Sequence, residues 1–288
     1  MVADECHHVP AAAFEHAVQQ IPARRWLGLT ATPYRRDKLD DLITLQVGPV
    51  RHTITLATGR TRSASAEPGE TEQASLDIQI HDPGPRPAPV LRVHPTRFCY
   101  SGNAGPSAPG GIAAIYKDLA ADHARTAQIT ADIAEALARG RHCLVLTSWI
   151  SHLDQLARSL RDQGHDPVIL RGGLGVKARA AALARLEPRP DRPPVLVLAT
   201  GSFIGEGFDC PALDTLFLAA PVAFKGRLGQ YAGRIMRSHP GKATAEIHDY
   251  HDQHTPVLAA SLAKRAPGYA SLGFPDPRRL PSPRAART

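Results

Sequence analysis

Two regimes of hydrophobic patterning divide the chain. Between residues 113 and 254, short apolar runs alternate with amphipathic stretches. The runs at 143–147, 167–170, 195–199, 215–219 and 245–249 predict strands, and the stretches at 151–163, 176–186 and 227–237 predict helices. A longer helix is expected over 115–138, stopped by Gly140, since glycine tolerates the left-handed conformation that ends helices. Strands that are apolar throughout, separated by helices, imply a parallel sheet covered on both faces. The fold class expected is therefore α/β.

Before residue 113 the pattern is less regular. Residues 1–56 predict the end of a strand at Val2 and Ala3, a helix opened by Pro10, a short buried strand over 26–30, a charged segment over 35–41 and a strand over 50–56. Residues 57–112 are expected to be a linker with a small β element. Within them, 59–75 is polar, 76–80 alternates with period two, and 90–98 predicts a second strand. After residue 254 one more helix over 255–265 is expected, then a Pro/Arg-rich tail, so 255–288 forms a fourth part after 1–56, 57–112 and 113–254.

Composition narrows the class. A chain of 288 residues with 43% hydrophobic content supports one large domain or two small ones, and 5% aromatic content implies a core of Ala, Leu and Val. No run of 18 apolar residues occurs, so no membrane-spanning helix is expected, and the first residues lack the basic and apolar regions of a signal peptide. The cysteines at 6, 99, 143 and 210 form no Cys-x-x-Cys, which argues against a zinc ribbon or a disulfide framework and for a cytoplasmic protein. The net charge of +7 is concentrated at the end. Lys264, Arg265, Arg278, Arg279, Arg284 and Arg287 stand against Asp276 alone, leaving the body close to neutral. A tail of this kind suits nucleic-acid contact and a merely solvated end equally.

Four segments carry candidate chemistry. Asp4 and Glu5 follow a strand end. Adjacent carboxylates there divide labour between holding Mg²⁺ through water and activating a nucleophilic water, or they simply make a polar, helix-capping loop. Thr30 and Thr32 place two hydroxyls at another strand end. Gly201, Gly205 and Gly207 with Thr200, Glu206 and Asp209 make a turn that allows close backbone approach, or an ordinary strand-to-helix turn. Gln230, Arg234 and Arg237 fall at spacings of four and three, so on one helix they share a face. Arginines so presented stabilise charge on a transferring phosphoryl group, or form a solvated basic face. A zinc site on Cys6, His7 and His8 is disfavoured because three adjacent residues rarely converge on one ion, and a metal hydrolase centred on Asp4, His7 and His8 is a remote reading.

In order, these segments are Asp4-Glu5-Cys6-His7, Thr30-Ala31-Thr32-Pro33, the run from Ala199-Thr200 to Gly207-Phe208-Asp209, and Gln230-x-x-Gly233-Arg234-x-x-Arg237. They resemble motifs II, III, V and VI of superfamily 2 helicases of the DEAD/DEAH-like type, the group that includes XPB-type helicases and restriction subunits. The resemblance implies a RecA-like parallel sheet with helices on both faces over 113–254, preceded over 1–56 by a truncated remnant of a first RecA-like domain, with ATP and Mg²⁺ as cofactors and nucleic acid, DNA rather than RNA, as partner. It implies that Asp4 holds Mg²⁺ through water, Glu5 activates the attacking water, and Thr30 and Thr32 couple hydrolysis to closure. Thr147, Ser148, Arg171, Gly172 and Thr200 would contact nucleic acid. Gly207 and Asp209 would face the nucleotide, and Arg234 and Arg237, helped by Gln230, would act on the γ-phosphate.

One departure from the family matters. Gly-Lys occurs once, at Gly241-Lys242, and is followed by Ala243, so no Gly-x-x-x-x-Gly-Lys-[Ser/Thr] phosphate loop is present. The expectation is an N-terminally truncated helicase, inactive alone, whose other half lies upstream or is supplied in trans. The alternative is a non-catalytic nucleic-acid-binding module.

Overall fold

The computed structural model describes residues 1–4, 6, 9, 12–30, 41–54, 61–63, 85–103, 105–187, 193–201, 210–221 and 225–280. They belong to two units, Met1–His81 and Asp82–Thr288. Expectations for Glu5, Thr32, Gly205, Gly207, Asp209, the linker at 64–80 and the tail at 281–288 fall outside the described residues.

The first unit contains β1 (Val2–Ala3), α1 (Ala12–Gln19), β2 (Leu27–Gly28), α2 (Asp41–Val47), β3 (His52–Ile54) and β4 (Thr61–Ser63). β1 and β2 pair in parallel with Val2 opposite Leu27, and β3 pairs with β4 antiparallel. Ala3, Cys6, Val9 and Ile43 form the core, with Val18 and Val47 packed against it. A Cβ on Gly28 would collide with Val47 and Cys6, so only glycine lets α2 lie this close to β2. The pattern did not predict α2. Its signal is the spacing of Ile43 and Val47, four apart on one helix face.

The second unit is built on a six-stranded parallel sheet in the order β5-β10-β9-β6-β8-β7. Its elements are β5 (Ala88–Pro95), α3 (Gly111–Ala121), α4 (His123–Ala138), β6 (Cys143–Thr147), α5 (Ile150–Asp162), β7 (Val168–Leu170), α6 (Val176–Ala184), β8 (Leu196–Thr200), β9 (Thr215–Leu218), α7 (Lys225–Ile235), β10 (Thr244–His251) and α8 (Pro256–Ser271). β6, β8 and β9 are buried at every position, as apolar strands of a two-faced sheet must be. Alternate residues of β10 show the two covers. Tyr250 Oη donates to Asp132 of α4 (2.9 Å), and Asp249, pointing the other way, receives Arg265 of α8 (2.8 and 2.9 Å). On the α4 side, Ile129, Ile133, Leu153, Leu156 and Leu160 pack on Val145, Leu198 and Phe217.

Three differences from the sequence pattern have local causes. The helix expected over 115–138 is two helices, because Asp122 breaks it with extended backbone and its Oδ1 accepts the Arg125 N–H (2.6 Å), capping α4. Gly140 does end α4. It has φ 78°, and the Arg141 N–H reaches back to Ala136 O (3.1 Å). β5 is the edge strand of the main sheet rather than part of a separate small element; its eight-residue register with β10 joins positions 156 apart, which no local pattern reports. α8 runs past residue 265, through Pro267, to Ser271. Burial explains that length. Tyr269 Oη donates to Asp249 (2.6 Å) and Arg265 is paired to the same carboxylate, so Arg265 is interior and leaves the basic tail.

Candidate functional site

All six strands of the second unit are parallel, so their carboxyl ends share one edge of the sheet. That edge is where open α/β sheets bind ligands. Thr147 ends β6 and lies in register with Thr200, which ends β8. The pairing extends one residue further, with the Gly201 N–H donating to Thr147 O (3.2 Å). Both threonines are buried. Thr147 Oγ1 is bonded to His152 Nδ1 (2.9 Å) and accepts from the Trp149 N–H (3.5 Å). Ser148 and Gly172 are exposed, and Arg171 is half-exposed with Nη1 3.3 Å from Asp154 Oδ2. Of the nucleic-acid candidates, Ser148, Arg171 and Gly172 therefore present side chain or backbone to solvent, while Thr147 and Thr200 shape the strand ends.

Helix α7 is seated against this edge. Leu228, Tyr231, Ala232 and Ile235 recur at three- and four-residue spacing and are buried. Tyr231 Oη donates to Gly201 O (2.8 Å), and a Cβ on Gly201 would meet that hydroxyl at 2.5 Å. Gln230 and Arg234 are half-buried and four apart on α7. Arg237 is exposed and lies two residues beyond the end of α7, so helical spacing does not put it on the face of Arg234 as the sequence suggested.

A buried network that the hydrophobic pattern does not predict braces the same edge. Arg125 of α4 donates to Ala219 O (2.6 Å) and to Asp252 (2.8 and 3.4 Å), which also accepts from Thr96 Oγ1 (2.6 Å). The Arg125 guanidinium sits 5.5 Å from the centre of the Tyr250 ring. Burial first, and then the Arg125 charge, push the His152 imidazole down to about 3, so it is neutral at physiological pH. The only local signal was Asp252 directly after the end of β10; the partners lie 127 and 156 residues away.

In the first unit, Asp4 follows β1 and is exposed, and Thr30 follows β2 and is half-buried. Parallel pairing puts both at the carboxyl end of the same strand pair, where Leu29 N donates to Ala3 O and Cys6 N to Leu29 O (both 2.9 Å).

ATP with Mg²⁺ fits these residues only in part. An exposed carboxylate after a strand suits a water-mediated cation, and the α7 arginine suits a phosphoryl charge. The single Gly-Lys does not suit a triphosphate. Gly241 and Lys242 precede β10, at the sheet edge opposite the strand carboxyl ends, and Lys242 Nζ donates to Pro211 O (3.1 Å). Burial lowers that ammonium to about 8. The described residues thus contain no cradle for the β- and γ-phosphates.

Residues 1–35 match the family described as type III restriction enzyme, res subunit. No curated protein sequence matches the chain. Among solved structures it is similar to a fragment of a putative HsdR subunit of a type I restriction enzyme from Vibrio vulnificus YJ016, at 19% identity over 93% of this chain and 46% of that one, with TM-score 0.62. It is also similar to S. cerevisiae Dbp5 bound to RNA and ADP BeF3, at 13% identity over 94% and 56%, with TM-score 0.52. T4 UvsW follows at 15% identity over 65% and 40%, with TM-score 0.50. The chain spans about half the length of these proteins. The family match is confined to the start of the chain, and the likeness to these structures shows a mixed α/β fold whose six-stranded parallel sheet, flanked by helices, is RecA-like.

Proposed function

We propose that this chain is the arginine-bearing, nucleic-acid-contacting portion of an ATP-dependent superfamily 2 helicase or translocase of the cytoplasm, acting on DNA. The observation that carries the reading is the joining of two functional elements at one sheet edge. The ends of β6 and β8 are tied to each other through Gly201 and to α7 through Tyr231, and α7 carries Gln230 and Arg234. Ser148, Arg171 and Gly172 contact the sugar-phosphate backbone, without base specificity. Thr200 supports the same contact. Arg234, with Arg237 and Gln230, serves the γ-phosphate, while Gly207 and Asp209 face the nucleotide. In the first unit Asp4 holds Mg²⁺ through water, Glu5 activates the water, and Thr30 and Thr32 couple hydrolysis to closure.

In this reading the triphosphate cradle comes from a further RecA-like segment, in cis or in trans, and the chain alone does not turn over ATP. Arginines that stabilise a transition state do not replace a phosphate loop. The test is ATP hydrolysis by the purified 288-residue chain with and without single-stranded DNA. The expected rate is background in both. Robust DNA-stimulated hydrolysis that disappears in Arg234→Ala overturns the inactivity.

The position of Gly241 and Lys242, away from the strand carboxyl ends, favours a second reading: a nucleic-acid-binding module without catalysis. The two differ in their response to a restored cradle. Adding a polypeptide that carries a complete first RecA-like domain rescues hydrolysis in the first reading and does nothing in the second.

A further inference from the structure

Two aromatic rings stand beside the strand end that carries Ser148, and neither has a part in the proposed contacts to the nucleic-acid backbone. Trp149 follows Ser148 directly and is the N-cap residue of α5, with extended backbone at φ −121° and ψ 136°. It is an unusual choice there. Ser, Thr, Asp and Asn are favoured at N-caps because their side chains accept a helix N–H, whereas the indole makes no cap bond. The sequence has Ser148 and Ser151 on either side, so a capping residue was available within two positions. A local rule broken without compensating stability commonly marks a functional position.

The Trp149 ring is held in place. Its backbone N–H is bonded to Thr147 Oγ1 (3.5 Å), and its carbonyl accepts the first helical bond from Leu153 N (3.0 Å). Tyr116 of α3 lies against the indole, with centroids 5.6 Å apart and planes tilted by 48°. Tyr116 is itself backed by the cluster of Phe98, Ile115, Leu119 and Leu258. Both rings remain half-exposed. Ile112, one turn before Tyr116, is 44% exposed, and Ile150, next to Trp149, is 46% exposed. The second unit thus shows solvent a small aromatic-centred patch next in the chain to exposed Ser148.

We propose that Trp149, backed by Tyr116, is a stacking platform for a base of single-stranded nucleic acid whose backbone passes Ser148. The proposal rests on the nucleic-acid reading above and deepens it by naming the form of the substrate. A duplex keeps its bases stacked inside, so this platform takes only an unpaired strand, and any base suits it because every base has a π-face. The juxtaposition of a hydroxyl for phosphate and a fixed indole favours this ligand over a protein partner, for which two aromatic rings and two isoleucines make a small apolar contact.

The chain has two tryptophans, Trp26 and Trp149, so Trp26→Phe leaves Trp149 as the sole indole reporter. That protein is titrated with a deoxythymidine oligomer and with an abasic oligomer of equal length. Quenching of the indole emission is expected with the first and not the second, and the base-containing oligomer should bind about tenfold more tightly. Trp149→Leu should erase that difference and Trp149→Phe should largely retain it, while both keep a cooperative melt near the parent temperature. Equal binding of the two oligomers with unchanged emission overturns the proposal and leaves the backbone contacts standing. Emission that shifts with protein concentration, and not with oligomer, assigns the patch to a protein contact and also overturns it. Binding of neither oligomer overturns both the proposal and the nucleic-acid reading beneath it.

Discussion

The two units use the same kind of strand and reach different degrees of closure. In the second unit the central strands are flanked by hydrogen-bonded neighbours and covered by helices on both faces, and β6, β8 and β9 have no exposed position. In the first unit β1 and β2 have only each other in parallel pairing among the described residues, with one side on the Ala3–Cys6–Val9–Ile43 core. Val2, Leu27 and Leu29 are 59%, 56% and 47% exposed. A parallel pair is stable when both faces are buried, so the second unit carries its own stability while the first holds its strand pair with one layer. The candidate residues share the contrast: Thr147, Thr200 and Arg234 belong to the braced sheet edge of the second unit, and Asp4 and Thr30 to the short strand pair of the first.

Substitutions sharpen this contrast in order of expected effect. Arg265→Ala leaves Asp249 buried with Tyr269 as its remaining partner and should cost about 4 kcal/mol in a denaturant melt of the second unit. Arg278→Ala, which breaks an exposed pair with Asp276, should leave the melt unchanged. Equal effects would mean that burial does not separate these two pairs. Next, Leu198→Ala empties a fully buried position of β8 and should cost about 3 kcal/mol, whereas Leu27→Ala in β2 should cost less than about 1 kcal/mol. A larger loss at Leu27 would show that its face is covered in solution.

Acid should act mainly on the second unit. Burial lowers His152 to about 3 and His248 to about 4, from 6.5 in the unfolded chain. Both folded values are depressed, so the unfolded chain binds the extra protons. The stability linked to these imidazoles is complete above about pH 6.5 and lost as pH falls toward 4 and 3. By pH 5 the loss should be roughly 2 kcal/mol for each, visible as a falling melting temperature that His248→Gln blunts. A melting temperature unchanged between pH 7 and 5 would exclude neutral buried imidazoles.

A modest effect is expected at the latch between β8 and α7. Tyr231→Phe removes the hydroxyl on Gly201 O and should cost about 1 kcal/mol. Gly201→Ala should cost more, because its methyl group meets the same hydroxyl at 2.5 Å. Hydrogen exchange at the end of β8 that does not change in either variant would remove Tyr231 as the tie.

Much of the second unit was legible because its central strands β6, β8 and β9 are apolar runs and helices alternate with the strands, so the local pattern separates the elements. The helix stop at Gly140 was legible for the same local reason. The break at Asp122 carried a local signal too, a capping residue at the right place, although the apolar periodicity runs straight through it. The order of Asp4, Thr30, Thr200, Gln230, Arg234 and Arg237 was legible as a helicase-like series, but helical spacing misplaced Arg237, because α7 ends at Ile235.

By itself, then, the sequence determined the α/β class, the strand-and-helix succession of the second unit and the chemical types available at its strand ends, since each depends on neighbours a few residues apart. Tertiary structure alone decided that β5 joins β10 as the edge of the sheet, that Arg265 is an interior ion and not part of a basic tail, and that Arg125 braces Asp252 beneath Ala219. It also set Trp149 against Tyr116 beside Ser148. These pairings join residues far apart in the chain, and their energy comes from burial and charge compensation that exist only once the sheet has closed.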